Sequence, residues 1–110
     1  MRAPLFTVIA VATLLATAPA FADSVQRSVL LHEHKFEPAE IHVPAGQRVE
    51  LTVKNDDTTP DEFDSHDLKV EKVIAGGTGG LVRFGPLRPG RYRFEGEYHE
   101  DTARGTVVAE

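Results

Sequence analysis

Acidic side chains and histidines are concentrated in two short segments of this sequence. Residues 55–71 contain seven acids and one base, and residues 95–101 contain four acids and no base, so 11 of the 17 acids lie there. His66 and His99 lie among them. Because like charges repel, this clustering indicates either a solvated acidic face or a cation site whose metal ion supplies the missing positive charge.

The spacing of these residues favours the cation site. In an extended chain, residues two apart point the same way. This places Glu62, Asp64 and His66 on one side of the first segment, and Glu97 with His99 on one side of the second. Imidazole and carboxylate together suit Cu(II), Fe(II) or Zn(II), whereas Cu(I) prefers sulfur. Spacing alone does not bring the two segments together, and a histidine taken singly is more often a surface residue than a ligand.

A second pair of histidines with the same spacing follows the first predicted strand. His32 and His34 alternate with Glu33 and Lys35. In these surroundings they are most simply interpreted as surface histidines, and a ligand role is the alternative.

Composition restricts the class of protein. The chain has 110 residues, with 12 Lys and Arg against 17 Asp and Glu, and no Cys. This length suits one domain. The formal net charge of −5 argues against a nucleic-acid partner, since phosphate binding needs a basic face. Without Cys the chain has no disulfide, no thiolate nucleophile and no thiolate metal ligand.

Residues 1–22 are typical of a secretory signal peptide. Arg2 gives a positive start, residues 5–18 are almost entirely apolar or small, and Ala20-Phe21-Ala22 is a small-x-small cleavage site. We predict cleavage after Ala22 and a periplasmic mature domain of residues 23–110. Because the only Met is removed, the mature chain contains no sulfur. An uncleaved anchor is the alternative, but the apolar run is shorter than the ~20 residues of a spanning helix.

Short alternating segments separated by turn residues predict an all-β fold. Val49, Leu51 and Val53 alternate with polar residues, as do Tyr92 and Phe94, which is the pattern of half-buried strands. Further short strands are predicted at 25–31, 41–43, 66–70, 81–84 and 104–109, with Pro and Gly turns between them. About seven short strands in one small domain predict a Greek-key β-sandwich or small barrel with almost no helix.

Two stretches resemble the beginning and the end of a cupredoxin-like domain, and together they extend the resemblance over the whole mature chain. Residues 36–46 read Phe-Glu-Pro-Ala-Glu-Ile-His-Val-Pro-Ala-Gly and resemble its opening. Residues 85–108 resemble its closing hairpin, which carries Cys, His and Met ligands in blue copper proteins. The resemblance therefore implies a cupredoxin-like β-sandwich that binds a metal ion.

The resemblance also implies a ligand set that departs from the blue copper pattern. Blue copper sites use two His, one Cys and a weak axial Met. His66 matches the first His and His99 the second, whereas Gly96 stands in place of the Cys and Ala103 in place of the Met. Without a thiolate, the expected cofactor is a non-blue copper or iron ion.

One subgroup fits these departures. Residues 62–65 (Glu-Phe-Asp-Ser), 71–74 (Glu-Lys-Val-Ile) and 96–99 (Gly-Glu-Tyr-His) resemble the cupredoxin-like periplasmic proteins of bacterial iron-permease systems, namely the EfeO cupredoxin domain and the FtrB-like group. Membership implies a role in ferrous iron uptake beside a periplasmic iron-binding protein and a membrane iron permease. It also implies that Fe(II) is oxidised before transport, which would be a ferroxidase activity.

The resemblance further implies where the metal binds, because a cupredoxin-like sandwich brings the matching positions to one end. We expect His66 and His99 to bind one divalent cation, assisted by Glu97 and Glu62. Candidates of second rank are Asp64, Glu100 and His34. Two other functions stay open: a periplasmic Cu(II)-binding protein of copper homeostasis, and a metal-free interaction module whose acids dock a basic partner.

Overall fold

Nine β-strands and one short 3₁₀ turn are present in the residues that the structure describes. The computed structural model describes residues 1–13 and 24–110. The strands are β1 (Val25–His32), β2 (Lys35–Glu37), β3 (Glu40–Val43), β4 (Val49–Asn55), β5 (Asp61–Ser65), β6 (Val70–Ile74), β7 (Gly79–Phe84), β8 (Gly90–Gly96) and β9 (Arg104–Ala109), with the 3₁₀ turn at Glu97–His99. Residues 1–13 contain no helix or strand.

The described residues cover only part of the predicted signal peptide, residues 1–22. The predicted cleavage point after Ala22 lies outside the described residues, so cleavage stays a prediction. Within the described ranges, no helix has the length and apolar character needed to cross a membrane.

The strands form two sheets that pack face to face. One sheet has the order β2-β1-β4-β7 and the other has the order β3-β9-β8-β5-β6. Most neighbours are antiparallel, but β1 pairs with β4 and β3 with β9 in parallel. The prediction of an all-β sandwich with almost no helix is confirmed.

Alternation along the strands builds the core between the sheets. Val49, Leu51 and Val53 of β4 are all buried, as their spacing predicts. The rings of Phe36, Phe63 and Phe94 meet at the middle of the core, and their centroids lie 5.0–6.0 Å apart. Phe36 comes from the four-stranded sheet and the other two from the five-stranded sheet, so this cluster joins the layers.

The predicted strand at residues 66–70 is wrong. The strand β5 ends at Ser65, residues 66–69 form a turn, and β6 begins at Val70. The Ser65 hydroxyl accepts a hydrogen bond from the N–H of Leu68 at 3.0 Å, and Lys69 has a φ of 59°. These features reverse the chain, so His66 lies in a hairpin turn rather than in a strand with Glu62.

The strand β5 itself was missed because Asp is depleted in strands. The short strand β2 was missed as well, since three residues, Lys35–Glu37, are too few to show a pattern. The strand β6 was missed except for its first residue, Val70. The other predicted strands correspond to β1, β3, β4, β7, β8 and β9.

Candidate metal centre

Two histidine rings, from turns attached to different sheets, stack at one end of the sandwich. The ring centroids of His34 and His99 lie 3.6 Å apart, with an angle of 13° between the planes. His34 lies in the turn between β1 and β2, and His99 ends the 3₁₀ turn that follows β8. Their side chains are 44% and 25% exposed. The structure therefore brings a second-rank candidate against a first-rank candidate and leaves both rings accessible.

A tight hairpin held by one carboxylate positions His34. Glu33 and His34 have φ values of 50° and 56°, and two positive φ values in a two-residue loop are typical of the type I′ turn. Asp57 accepts hydrogen bonds from the N–H groups of Glu33 at 2.7 Å and His34 at 3.0 Å. Burial raises the pKa of Asp57, but these N–H groups outweigh it, so the pKa is lowered overall.

Asp57 is fixed in turn by the buried side chain of Asn55. The Asn55 Oδ1 accepts the N–H of Asp57 at 3.0 Å, which closes a local turn. Its Nδ2 donates to the carbonyl oxygens of Thr59 at 2.9 Å and Ile74 at 3.1 Å. The position of His34 thus depends on a chain of hydrogen bonds that begins inside the sandwich.

A buried carboxylate orients the ring of His99. The Oδ2 of Asp61 lies 2.8 Å from His99 Nδ1, and the Asp61 side chain is 3% exposed. The Oδ1 accepts the N–H groups of Glu62 at 2.8 Å and Tyr98 at 3.0 Å. When His99 is neutral, this contact places the proton on Nδ1 and leaves the Nε2 lone pair free for a ligand.

The residues beside His99 do not form a blue copper site. Gly96 and Ala103 stand at the positions expected for the Cys and the Met, and Asp61 lies against Gly96. A Cβ atom on Gly96 would be 2.6 Å from Asp61 Oδ2 and 2.8 Å from Ala103 Cβ. The space beside Gly96 and Ala103 therefore offers neither a thiolate nor a thioether. Both oxygens of the Asp61 carboxylate already accept hydrogen bonds from N–H groups. These residues do not fit an interior copper ion.

His66 lies at the opposite end of β5 from His99. Asp61, which contacts His99, begins β5, and His66 follows its last residue. With 5 residues at ~3.3 Å each, β5 spans roughly 15 Å. The structure does not bring His66 and His99 together, and Asp61 rather than His66 occupies the position beside Gly96.

His66 instead borders a groove on the outer face of the five-stranded sheet, which Asp64 and Glu95 also line. The groove has a volume of about 820 Å³ and is lined mainly by charged side chains, among them Arg93 and Arg104. Within the part of the chain that the structure describes, the His66 ring forms no hydrogen bond, and the residue is exposed.

The two first-rank glutamates contact each other on the outer face of the sheet. A hydrogen bond with Glu97 raises the pKa of Glu62, with burial and the Glu97 charge adding to it. Glu62 therefore retains its proton more readily than an isolated glutamate. Glu97 and His99 lie in a 3₁₀ turn, so the extended alternation expected for them is wrong.

Further carboxylates surround this pair and form what we call the acidic outer face. Its members are Glu62, Asp64, Glu71, Glu95, Glu97 and Glu100. Burial raises the pKa of Glu95, and the charges of Glu100 and Asp64 raise it further. None of the six forms a salt bridge within the described residues. The second-rank candidates Asp64 and Glu100 thus belong to this face.

Residues 24–110, together with 1–13, contain no group of three or more His, Asp or Glu side chains arranged to hold a metal ion. A metal site at the end of the sandwich that carries His34 and His99 would use their two imidazoles as ligands. Water, or a carboxylate that moves, would supply the remaining ligands. His32 contacts a different carboxylate, with its Nδ1 3.3 Å from Asp56 Oδ2.

The sequence reasoning missed Asp61 and Asp57. The signal for Asp61 is its position two residues before Phe63, because alternation places both on the inward face of β5. The signal for Asp57 is its position two residues after Asn55, which is typical of an Asx turn. Neither signal reveals what the carboxylate contacts, since those partners are distant in sequence.

Comparisons with known proteins place this geometry in a family. The sequence profile of the cupredoxin-like domain matches residues 5–109. An uncharacterised protein of Rickettsia prowazekii (strain Madrid E) is 36% identical over 80 residues, which are 73% of this chain and 64% of the relative. This chain therefore spans less than two thirds of that relative's length.

Solved structures show the same fold. Auracyanin A, described as a "blue" copper protein of Chloroflexus aurantiacus, superposes with a TM-score of 0.67 at 17% identity, over 80% of this chain and 100% of that chain. The metal binding domain of the Cu(I) exporting P-type ATPase CopA of Streptococcus pneumoniae D39 gives 0.65 at 16% identity, over 80% and 96%. These likenesses concern the fold, and the sequence profile covers nearly the whole chain, so this protein belongs to the cupredoxin-like domain family.

Proposed function

We propose that this chain is a periplasmic metal-binding cupredoxin-like protein of the EfeO and FtrB-like group, and that it binds copper or iron during ferrous iron uptake. The observation that carries the proposal is the stacked pair of His34 and His99 at an accessible end of the sandwich. Imidazole is a ligand for copper and iron alike. The motifs at residues 62–65, 71–74 and 96–99 support the iron-uptake role.

The orientation of His99 supports metal binding. Its Nδ1 faces Asp61, and histidine ligands in metal sites commonly donate their second N–H to a carboxylate in this way. The Nε2 is then the nitrogen that remains for the ion. Because the stacked rings are nearly parallel, their in-plane lone pairs do not point at one place. Binding by both histidines therefore requires one ring to turn, and His34 is the more exposed of the two.

The neighbouring carboxyl pair supports a preference for iron. The hydrogen bond with Glu97 raises the pKa of Glu62, and a cation can replace a proton between two carboxylates. Hard oxygen donors favour Fe(III) over Fe(II). We therefore propose in addition that Fe(II) beside this carboxyl pair loses an electron to dioxygen. The ion then passes to an iron-binding protein and a membrane permease.

Calorimetric titration of the metal-depleted mature chain with Cu(II) and with Fe(II) under anaerobic conditions tests the binding. His99→Ala and His34→Ala should each weaken binding, and the double variant should abolish it. His66→Ala is the matched control, since His66 lies at the other end of β5, and it should bind like the parent. Affinity should fall as the pH drops below about 6, because protonated imidazole does not bind metal. Unchanged binding by the double variant would contradict the assignment.

Two further measurements separate iron uptake from copper homeostasis. Oxygen consumption on addition of Fe(II) to the mature chain should exceed that of the His34→Ala/His99→Ala variant if the protein oxidises iron. Cells lacking the chain should take up less ⁵⁵Fe at unchanged copper tolerance. Loss of copper tolerance with normal iron uptake would favour the Cu(II) role, and failure of any metal to bind would favour the metal-free interaction module.

A further inference from the structure

The buried carboxylate of Asp61 lies at one end of the sandwich, between β5 and the 3₁₀ turn that follows β8. Asp61 is the first residue of β5, and its side chain is 3% exposed. Three N–H groups donate to it: the backbone of Glu62 and Tyr98, and the ring of His99. A buried carboxylate without partners would be costly, but one with three N–H donors is well satisfied.

The residues around Asp61 are small enough to admit it. Gly96 and Ala103 are both buried, and the N–H of Gly96 donates to the carbonyl of Ala103 at 2.9 Å. A Cβ on Gly96 would approach Asp61 Oδ2 to 2.6 Å and Ala103 Cβ to 2.8 Å. The carboxylate of Asp61 therefore occupies the space that any side chain at position 96 would need.

The geometry points to Asp61 as a built-in replacement for an interior metal ion. Asp61 connects β5 to the 3₁₀ turn through N–H donors, as a metal would through ligands, and it closes the interior to metal. Folding of this end of the sandwich then needs no metal, and any ion binds outside, on the Nε2 side of His99. The closure of the interior does not depend on the proposed function. Only the part concerning His99 Nε2 rests on it.

Thermal unfolding of the metal-depleted mature chain tests the structural part. Asp61→Asn keeps the shape of the side chain but removes the charge that attracts three N–H groups. A lost charged hydrogen bond in a domain of this size should lower the Tm by about 10 °C. The matched control is Asp64→Asn, on the outer face of the same strand, which should change the Tm by no more than about 3 °C. Equal shifts in the two variants would overturn the proposal.

A spectroscopic test determines whether the space that Asp61 fills beside Gly96 can hold a metal ion. The double variant Asp61→His/Gly96→Cys places an imidazole and a thiolate beside His99, and with Cu(II) it should develop an intense thiolate charge-transfer band in the visible range. Gly96→Cys alone should have a lower Tm and lack that band, because the Asp61 carboxylate still fills the space.

The possible results separate the competing ligand assignments. A band in Gly96→Cys alone that disappears with His66→Ala would overturn the proposal, since His66 would then be the ligand. A folded double variant without a band would overturn it as well. If the double variant fails to fold, the Asp61→Asn and Asp64→Asn comparison still decides. If the parent protein binds no metal, the proposed function is contradicted, whereas the results for the Asp61 and Gly96 variants still stand.

Discussion

The substitution Asp57→Ala should release the hairpin that carries His34. The Asp57 carboxylate is the acceptor for two N–H groups of the turn, Glu33 at 2.7 Å and His34 at 3.0 Å. Its side chain is 13% exposed, so water replaces it only in part. We expect two consequences: a less stable domain, and a His34 ring that no longer stacks on His99.

The size of the effect follows from the number and type of these bonds. A hydrogen bond to a charged group contributes about 1.5–3 kcal/mol. Because both N–H groups lie near the surface, the lower value applies to each, which gives about 3 kcal/mol for the pair. A domain of this size has a total stability of roughly 4–13 kcal/mol. At ~4–8 °C per kcal/mol, the Tm of Asp57→Ala should fall by at least about 12 °C.

Urea and thermal unfolding at pH 7 measure this loss, with Asp56→Ala as the matched control. Asp56 is the preceding residue, and its side chain is 49% exposed, so its removal should change the unfolding free energy by only about 0.5 kcal/mol. Because the folded pKa of Asp57 is lowered, its contribution is complete above the unfolded pKa of about 3.9 and is lost as the pH falls through the folded value. The difference between parent and variant should therefore narrow below about pH 4.

Metal titration of the same variants connects stability to function. The affinity of Asp57→Ala for Cu(II) should approach that of His34→Ala, whereas Asp56→Ala should bind like the parent. If Asp57→Ala is no less stable than Asp56→Ala, the hairpin does not depend on this carboxylate and the account of how His34 is positioned is wrong.

Three other outcomes are expected. The pKa of His42 is raised, chiefly by its hydrogen bond to Glu110, so its stabilising effect is complete below about pH 6.5 and is lost at higher pH. Urea unfolding should accordingly show the parent losing stability relative to His42→Gln as the pH rises from about 6.5, and parallel pH profiles would refute this. Gly105→Ala should cost about 1–3 kcal/mol, because its Cβ would overlap the ring of Phe94. Gly79→Ala, which meets only one atom at 3.6 Å, is the control, and equal losses in thermal unfolding would refute the packing argument. The copper-loaded mature chain should lack a strong absorption band near ~600 nm, since no thiolate is present, and such a band would contradict nitrogen and oxygen ligation.

The sequence by itself determined the class of fold and much of the core. Alternation in β4 predicted the burial of Val49, Leu51 and Val53, because side-chain direction in a strand depends only on the parity of the position. Composition excluded thiolate ligands, and the acids of residues 55–71 and 95–101 could be recognised as a cluster. These properties are local or additive, so they can be read without knowing which strands are neighbours.

Alternation failed where the chain departs from an extended conformation. Residues 66–69 form a turn, and residues 97–99 form a 3₁₀ turn. Parity therefore did not place His66 with Glu62, or His99 with Glu97. A turn replaces the strand there because the Ser65 hydroxyl accepts the N–H of Leu68 and stabilises a local reversal, in which Lys69 adopts a positive φ. Residue-by-residue preference does not predict this.

Only the tertiary structure decided which residues meet at the candidate site. His34 and His99 are 65 positions apart in the sequence and lie in turns attached to different sheets. Asp61 contacts His99 because the register of β5 against β8 pairs Phe63 with Gly96. The contact depends on strand order, register and the missing side chain of Gly96 together, and none of these is a property of a short stretch of sequence. For that physical reason the sequence indicated metal-binding chemistry, whereas the packing of the two sheets determined which side chains could bind the metal.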